Sequence, residues 1–243
     1  MINKFICIMP MAGSGLRFKK YGYETPKPLI KVDGEPMFIK AAKSFPKYFK
    51  WLFIANKNLK SIDDFKKYTN IFERKKILFL DKKTQGQAST VYKSLNYINN
   101  KDFIIVHSCD LFFNINLKSL TKKLKDNDLL VFTARATKYH YKNHKQFSWV
   151  KKNKKGYQVS LKKNFKDIKN SKVLIGTFCF RNKKIMKKLL DHTFQNKIKI
   201  KNEYYMDSLI KDASKFNYKL NELTVNKYIS LGSHKELRNY ILK

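Results

Sequence analysis

Ile8-Met9-Pro10-Met11-Ala12-Gly13-Ser14-Gly15-Leu16-Arg17-Phe18, followed by Thr25-Pro26-Lys27-Pro28-Leu29-Ile30 and Val32-Asp33-Gly34-Glu35-Pro36-Met37, is the stretch from which the rest of the chain can be read. An apolar run, Phe5 to Met9, enters a loop with two glycines, as a buried strand followed by a tight turn does. Gly13 and Gly15 have no Cβ, so the backbone can turn sharply and come close to a ligand. Backbone N–H groups in such a loop form an anion cradle, and Arg17 adds a permanent positive charge beside it. Pro28 holds Lys27 extended, and the flanking prolines stiffen its loop. One Arg and one Lys on stiff loops beside a glycine cradle suit the binding and polarising of a polyphosphate. A dinucleotide fingerprint is excluded, because Phe18 stands where its third glycine is needed, and a P-loop is excluded, because no Gly-Lys-Ser/Thr follows. Gly13-Ser14-Gly15 alone is also what an ordinary strand-turn shows; its spacing to Pro-Lys-Pro-Leu and Gly-Glu-Pro-Met makes the chemical reading the stronger one.

The 243 residues suffice for one large domain, and 43% hydrophobic content predicts a folded globule. No apolar stretch approaches the roughly 20 residues that a membrane-spanning helix needs. Met1-Ile2-Asn3-Lys4 before Phe5 to Met9 faintly imitates a signal peptide, but the apolar part is short and no small-residue cleavage site follows. It reads as the first core strand, and a cytoplasmic protein is expected. Cys7, Cys109 and Cys179 lie far apart in apolar runs without metal spacing, which predicts buried reduced thiols. No His is placed by sequence to activate Cys109 as a nucleophile. The formal charge of +35 invites a nucleic-acid reading. However, arginine occupies only positions 17, 74, 135, 181 and 238, and the lysines spread over every predicted element instead of forming one stripe. The excess reads as solvated lysine faces, with a positive field that would attract nucleotides and sugar phosphates.

Strands are expected at Phe5 to Pro10, Trp51 to Ala55, Lys76 to Leu80, Phe103 to His107 and Leu129 to Ala134. Helices are expected between them, at Pro36 to Ser44, Ile62 to Tyr68, Gly86 to Ile98 and Leu117 to Lys125. That alternation predicts a parallel, doubly wound sheet, with ligands outside the carboxyl ends of the strands. The glycine loop, Gln85-Gly86 and Asp110 all follow strands and should share that edge. In the second half, Phe147 to Lys151, Tyr157 to Leu161, Val173 to Phe180 and Tyr218 to Val225 are strand-like, and Asn182 to His192, Glu203 to Ala213 and His234 to Leu242 are helical. The expectation is one α/β domain with a mixed sheet.

Further along stand Thr84-Gln85-Gly86-Gln87-Ala88, Cys109-Asp110, Ile175-Gly176-Thr177-Phe178 and Leu231-Gly232-Ser233. Together with the opening stretch these segments resemble the sugar-phosphate nucleotidyltransferases, or nucleoside-diphosphate-sugar pyrophosphorylases, over nearly the whole chain. The resemblance implies a single Rossmann-like, GT-A-like domain over residues 1–243, with a mixed, mostly parallel sheet flanked by helices. Residues 1–135 would be its nucleotide-binding half and 136–243 its sugar-phosphate acceptor half.

The resemblance also assigns roles. Gly13, Ser14, Gly15 and Arg17 would grip the triphosphate, with Met11 and Ala12 in the same loop, and Lys27 would contact phosphate in the transition state. Gln85 and Gly86, with Ala88 and Ser89 behind them, would read the base. A glutamine amide both donates and accepts, which suits a pyrimidine edge; otherwise the segment is a helix start capped by Thr84. Asp110 would hold Mg2+, although a turn aspartate capping the next element looks the same. On the acceptor side Gly176 would let the sugar approach the backbone, and Ser148, Trp149, Asn202 and Glu203 fall where the family contacts it. Trp149 reads equally well as core packing. Where the family often has Glu-Lys this chain has Lys162-Lys163, and Lys163 would hold the acceptor phosphate. A second metal carboxylate, which the family often places in Trp-x-Asp-x-Gly-Thr, is missing: Tyr228-Ile229-Ser230-Leu231-Gly232-Ser233 has Ser230 at that position. The ion is therefore expected on Asp110, phosphate oxygens and water, with Glu203 and Asp207 the nearby acidic candidates for a substitute.

The implied reaction is attack by a phosphate oxygen on the α-phosphorus with loss of pyrophosphate, which needs positioning and charge neutralisation and no general base. CTP is favoured because the chain ends soon after the catalytic domain, as in compact cytidylyltransferases. Expected partners are a nucleoside triphosphate and a sugar or polyol phosphate, with no nucleic acid and no membrane, and the resemblance leaves room for a homodimer. Such products commonly feed capsule or other surface polysaccharide. Two other readings compete. A glycosyltransferase of related topology should show Asp-x-Asp, where this chain has Asp110-Leu111-Phe112. An RNA-binding module rests on charge alone.

Overall fold

The computed structural model describes residues 4–13, 15–57, 62–154, 156–161, 168, 170–200 and 202–242. In chain order the strands are β1 Phe5–Pro10, β2 Lys31–Val32, β3 Glu35–Pro36, β4 Lys50–Asn56, β5 Arg74–Leu80, β6 Phe103–His107, β7 Leu111–Phe113, β8 Leu129–Ala134, β9 Ser148–Asn153, β10 Gly156–Ser160, β11 Lys172–Phe180, β12 Leu220–Val225 and β13 Tyr228–Ser230. The α-helices are α1 Leu16–Lys19, α2 Met37–Ala42, α3 Ile62–Thr69, α4 Gln87–Tyr92, α5 Leu117–Asp126, α6 Lys138–Lys142, α7 Lys183–Gln195, α8 Met206–Lys211 and α9 His234–Ile241.

The main sheet runs β10-β9-β11-β6-β1-β4-β5, with β8 also on β11 and β12 on β8. β6, β1, β4 and β5 are mutually parallel, as the alternation of strands and helices requires. β11 reverses direction and pairs antiparallel with β6, β8 and β9, so it joins the two halves of the chain. The α/β fold with a mixed sheet expected from the sequence is the fold observed. The strands of its middle are apolar on both faces, as a sheet covered on both sides needs. Along β1, Phe5, Cys7 and Met9 enter one core with Phe38, Trp51, Phe53, Phe132 and Trp149, while Ile6 and Ile8 enter the other with Val91, Ile104, Leu189 and Met206. A third, smaller cluster, including Phe18, Ile30, Met37, Leu231 and Leu237, packs α9 onto the loops after β1.

Departures from the sequence pattern have local causes. The helix expected over Gly86 to Ile98 stops at Tyr92, where the Ser94 hydroxyl donates to Val91 O (2.5 Å) and competes with the helical ladder, and the chain continues as a 3-10 turn, Leu95–Tyr97. The helix expected from Glu203 begins at Met206, because residues before it are hydrogen-bonded elsewhere: Glu203 bridges Ile200, and Tyr204 N donates to Gln85 O at 2.8 Å. β7 and β13 pair across a long sequence separation, with Leu111 opposite Ser230, which local patterning cannot show. Among the described residues no helix is long and apolar enough to cross a membrane.

Candidate active site

β1, β5 and β6 end on one edge of the sheet, and each is followed by one of the segments singled out in the sequence. After β1, Met11 and Ala12 are buried, and Met11 N donates to Ile54 O at 2.7 Å, which fixes where the loop departs. Gly13 is exposed, and a Cβ there would meet nothing within 4 Å, so the backbone faces open space. Gly15 has φ of +62° and starts the short helix α1, whose first bond runs from Phe18 N to Gly15 O at 3.0 Å. Ser14, Lys163 and the side chain of Arg17 lie outside what the structure describes.

Lys27 is not extended as the proline after it led the sequence to suggest: it opens a 3-10 turn, Lys27–Leu29, with Pro26 before it and Pro28 inside it, and Leu29 N donates to Pro26 O at 2.8 Å. Its backbone and Cβ lie beside Gly15, its Nζ is 5.4 Å from the centre of the Phe18 ring, and its ammonium donates to Asp110 Oδ2. Burial alone would push the Asp110 carboxyl up; the Lys27 ammonium, by charge and hydrogen bond, instead holds it below the usual carboxylate range. Asp110 is therefore an anion in the site, about a fifth exposed. Cys109 is pushed up to about 12 by burial and by Asp110, which leaves it a neutral thiol with no nucleophilic role. Beneath them His107 is fully buried. Its Nε2 faces Ala41 O at 3.0 Å, an oxygen that can only accept, so the proton is on Nε2 and Nδ1 accepts from the Thr177 hydroxyl at 2.8 Å. Burial lowers this imidazole to about 4.

After β5, Gln85 is exposed, while Ala88 is fully buried and Ser89 turns its hydroxyl back to Gln85 O at 3.1 Å. Gly86, not Thr84, stands at the helix start, with φ of +99°. A Cβ on Gly86 would come within 2.6 Å of Tyr204 O and 2.8 Å of Tyr204 N. This glycine lets the Gln85 loop cross the 203–204 segment. The crossing is secured by Tyr204 N to Gln85 O at 2.8 Å and Ala88 N to Tyr204 O at 3.0 Å.

The acceptor-side candidates divide. Asn202, in the left-handed region at φ +64°, and Glu203 are exposed on the turn that Ile200 and Glu203 close, beside Gly86. Gly176 sits in the bulge of β11 at φ +76°, and its neighbour is protein: a Cβ there would stand 3.0 Å from Ser108 Oγ. Ser148 is buried and donates to Asp207. Trp149 is fully buried, stacks on Tyr141 and donates Nε1–H to His144 O at 3.1 Å. The core-packing alternative for Trp149 is therefore the one its surroundings fit, and its expected acceptor contact is withdrawn for that reason.

Three groups escaped the sequence reading. Gln87 Nε2 donates to Ser108 Oγ at 3.3 Å, and Ser108 donates to Gly176 O at 3.1 Å, which links α4, the end of β6 and the bulge of β11. The third is Glu236, in the first turn of α9. Asp110 Oδ2, Glu236 Oε2 and Ser230 Oγ lie 3.4, 3.5 and 3.6 Å from the point where a Cβ on Gly232 would stand. Ser233-x-x-Glu236 is a legible helix-start pattern, but nothing in it shows that the helix abuts Asp110. Among the described residues no three His, Cys, Asp or Glu side chains gather as a metal cluster. The two carboxylates and one hydroxyl around Gly232 are nonetheless the hard oxygen donors that suit magnesium.

Comparison with known proteins agrees with this geometry. The profile of the nucleotidyl transferase family matches residues 7–224. Sequence comparison with curated proteins finds no significant match. Among solved structures, a nucleoside-diphosphate-sugar pyrophosphorylase from Vibrio cholerae superposes with TM-score 0.80 at 21% identity, covering 98% of this chain and 100% of that one. A UTP-bound UGPase from Acinetobacter baumannii gives 0.74 at 14% identity over 100% and 93% of the two chains. The inositol-1-phosphate CTP transferase from T. maritima gives 0.71 at 12% over 100% and 95%. At these identities the likeness is one of fold.

Proposed function

The chain belongs to the nucleotidyl transferase family, the sugar-phosphate nucleotidyltransferases that its motifs resemble, and from that premise we propose that it couples a nucleoside triphosphate to a phosphorylated sugar or polyol. The observation that carries this reading is the Lys27–Asp110 pair set against the glycine loop at the carboxyl edge of the parallel strands. A cation and an anion held side by side at an open backbone loop suit a polyphosphate, whose oxygens take the cation while its counter-charge is met at the carboxylate.

In the proposed reaction an oxygen of the acceptor phosphate forms a bond to the α-phosphorus, the bond from that phosphorus to the β-phosphate bridging oxygen breaks, and pyrophosphate leaves. The acceptor arrives as an anion, so no proton has to be removed. The backbone around Gly13 and Gly15 would bind the triphosphate, with Arg17 beside it, and Lys27 would neutralise charge on the transferring phosphate. A magnesium ion held by Asp110 with phosphate oxygens and water would supply further neutralisation. Gln85 would meet the base from the exposed loop after β5, and Asn202 and Glu203, tied to that loop, would meet the acceptor. Ser148 and Gly176 would act behind them, Ser148 through Asp207 and Gly176 through Ser108. Residues 1–135 would serve the nucleotide and 136–243 the acceptor.

CTP is the triphosphate the sequence reading favours, and an activated sugar or polyol for surface polysaccharide the product that the family resemblance implies. The test is pyrophosphate release with CTP, UTP, TTP, GTP and ATP, each with and without a panel of sugar and polyol phosphates. Release that depends on the acceptor and is fastest with CTP is expected. Strong preference for UTP or TTP would move the nucleotide assignment, and sugar transfer without pyrophosphate would overturn the reading.

A further inference from the structure

Glu236 stands where the sequence offered nothing. β13 ends at Ser230, Leu231 N donates to Asp110 O at 2.7 Å, and α9 starts at His234 behind the cap Ser233. The backbone bond at Leu231 brings the first turn of α9 beside the end of β6. Gly232 has no Cβ, and the space a Cβ would take is bordered by Asp110 Oδ2, Glu236 Oε2 and Ser230 Oγ within 3.6 Å. The two acids named from sequence lie elsewhere: Asp207 receives the Ser148 hydroxyl, and the Cβ of Glu203 lies against Gly86 on the exposed turn after Ile200.

We propose that Glu236 is the second carboxylate of the divalent-cation site, acting with Asp110 across the gap left by Gly232, in place of an acid at position 230. This rests on the nucleotidyltransferase reading above. α9 is seated by Leu237 in the small core with Phe18 and Met37, and Tyr21 stacks on His234 at 4.2 Å, so the carboxylate is presented by an anchored helix. Among the groups near it are the Ser233 hydroxyl, which donates to Glu236 Oε2 at 2.8 Å, the Asp110 and Ser230 oxygens across the gap, and the Tyr139 and Tyr228 phenols, which its charge disfavours ionising. Lys27 covers Asp110 Oδ2, the same oxygen that borders the gap, so cation affinity is low in the nucleotide-free protein and rises once a triphosphate draws the ammonium away.

The bland role for Glu236 is its place in the helix start, where its N–H donates to Ser233 Oγ at 3.3 Å. Two variants of the full chain separate the roles. Glu236→Gln keeps the capping chemistry, since Gln serves at that position as Glu does, and removes the charge. Ser233→Ala removes the cap and keeps the carboxylate. The readout is the free Mn2+ signal by electron paramagnetic resonance, titrated with Mn2+ alone and then with α,β-methylene CTP or its UTP counterpart. Glu236→Gln should bind Mn2+ about tenfold more weakly in the presence of the analogue, with a melting temperature within about 2 °C of the parent. Ser233→Ala should melt earlier and bind Mn2+ within about twofold of the parent. Unchanged Mn2+ affinity in Glu236→Gln, or an equal loss in both variants, overturns the inference. If the parent releases pyrophosphate and binds Mn2+ but Glu236→Gln is indifferent, Glu236 alone was misassigned. If the parent takes neither analogue nor Mn2+ and releases no pyrophosphate, the functional reading falls with it.

Discussion

The glycine-loop edge and the acceptor edge of this molecule are built in opposite ways. On the first, Gly15 and Lys27, both in the connection from β1 to β2, meet Asp110 just past β6, and beside them the backbone at Gly13 faces open space. On the second, the residues expected to meet a ligand are largely engaged with protein: Trp149 with Tyr141 and His144, Ser148 with Asp207, Gly176 with Ser108. Among the described candidates only Asn202 and Glu203 are exposed, and their segment is tied by backbone bonds to the Gln85 loop of the other edge. The lesson is that the glycine-loop edge is set by what loops leave uncovered, and the other edge by what its own packing leaves over.

The largest expected effect tests the open side. Lys27→Ala removes the ammonium from a preorganised donor, which typically costs on the order of 3 kcal/mol of transition-state stabilisation, or roughly a hundredfold in turnover. Arg17→Ala should have a comparable effect. Circular dichroism should show the fold intact in both, since Lys27 is on an edge loop. Turnover near that of the parent in both variants would remove the pair from the mechanism and erase the distinction between the two edges.

Legibility in the sequence follows the same division. The strands after which the site loops depart were readable as apolar runs, and glycine and proline mark their loops because those residues have backbone restrictions of their own. Asp110 was readable for a related reason, as a lone carboxylate closing an apolar strand. The acceptor side depends on contacts that carry no local signature. Trp149 has the same composition cue whether it faces a sugar or Tyr141. At Gly176, with φ of +76°, a Cβ would crowd Ser108, which stands just past the end of β6. Gly86 reads as a ligand glycine and serves a backbone crossing with Tyr204. Glu236 looks like an ordinary helix-start residue until the pairing of β13 with β7 brings α9 to Asp110.

His107 joins the two sides, and pH is the probe for it. It lies on β6, hydrogen-bonds to α2 through Ala41 and to β11 through Thr177, and is held neutral by burial at about 4. Unfolded, an imidazole takes its proton near pH 6.5, so between about 6.5 and 4 the unfolded chain binds more protons than the folded one. Stability should therefore fall as pH is lowered through that window, by a total on the order of 3 kcal/mol. Asp110 acts lower: its depressed carboxyl contributes stability above the ordinary carboxylate value, and that part is lost only as pH drops further toward the folded value. Urea midpoints measured from pH 7.5 to 4 should trace the imidazole loss, and His107→Asn should flatten it. A parent midpoint that stays level down to pH 5 would contradict the buried neutral imidazole.

Gly86 offers a sharper comparison with Gly13. Gly86→Ala places a Cβ at φ +99° against the Tyr204 backbone, where neither partner can yield easily. Strain of this kind costs roughly 1–3 kcal/mol before the clash is counted, so the protein should melt several degrees earlier. Gly13→Ala meets nothing within 4 Å, so its melting temperature should be close to the parent's while the KM for triphosphate rises, because the methyl group occupies the cradle. If Gly13→Ala melts early and Gly86→Ala does not, the structural and ligand-facing glycines have been assigned the wrong way round.

The smallest effect lies at Asn202. Its φ of +64° is one that asparagine tolerates and glycine adopts freely, so Asn202→Gly should change stability by no more than about 0.5 kcal/mol. The side chain is exposed, and the turn is closed by backbone bonds between Ile200 and Glu203 at 2.9 and 3.0 Å that do not involve the Asn202 amide. The substitution thus removes an exposed amide while leaving its loop in place. If the exposed turn is what the acceptor edge offers, KM for the sugar or polyol phosphate should rise severalfold while KM for the triphosphate and the melting temperature stay put. If acceptor KM is unchanged, Asn202 is there for its backbone alone. Acceptor recognition would then have to come from Glu203 and from groups that the packing of β9 and β11 now holds inside, so the acceptor edge would have to rearrange before it could bind.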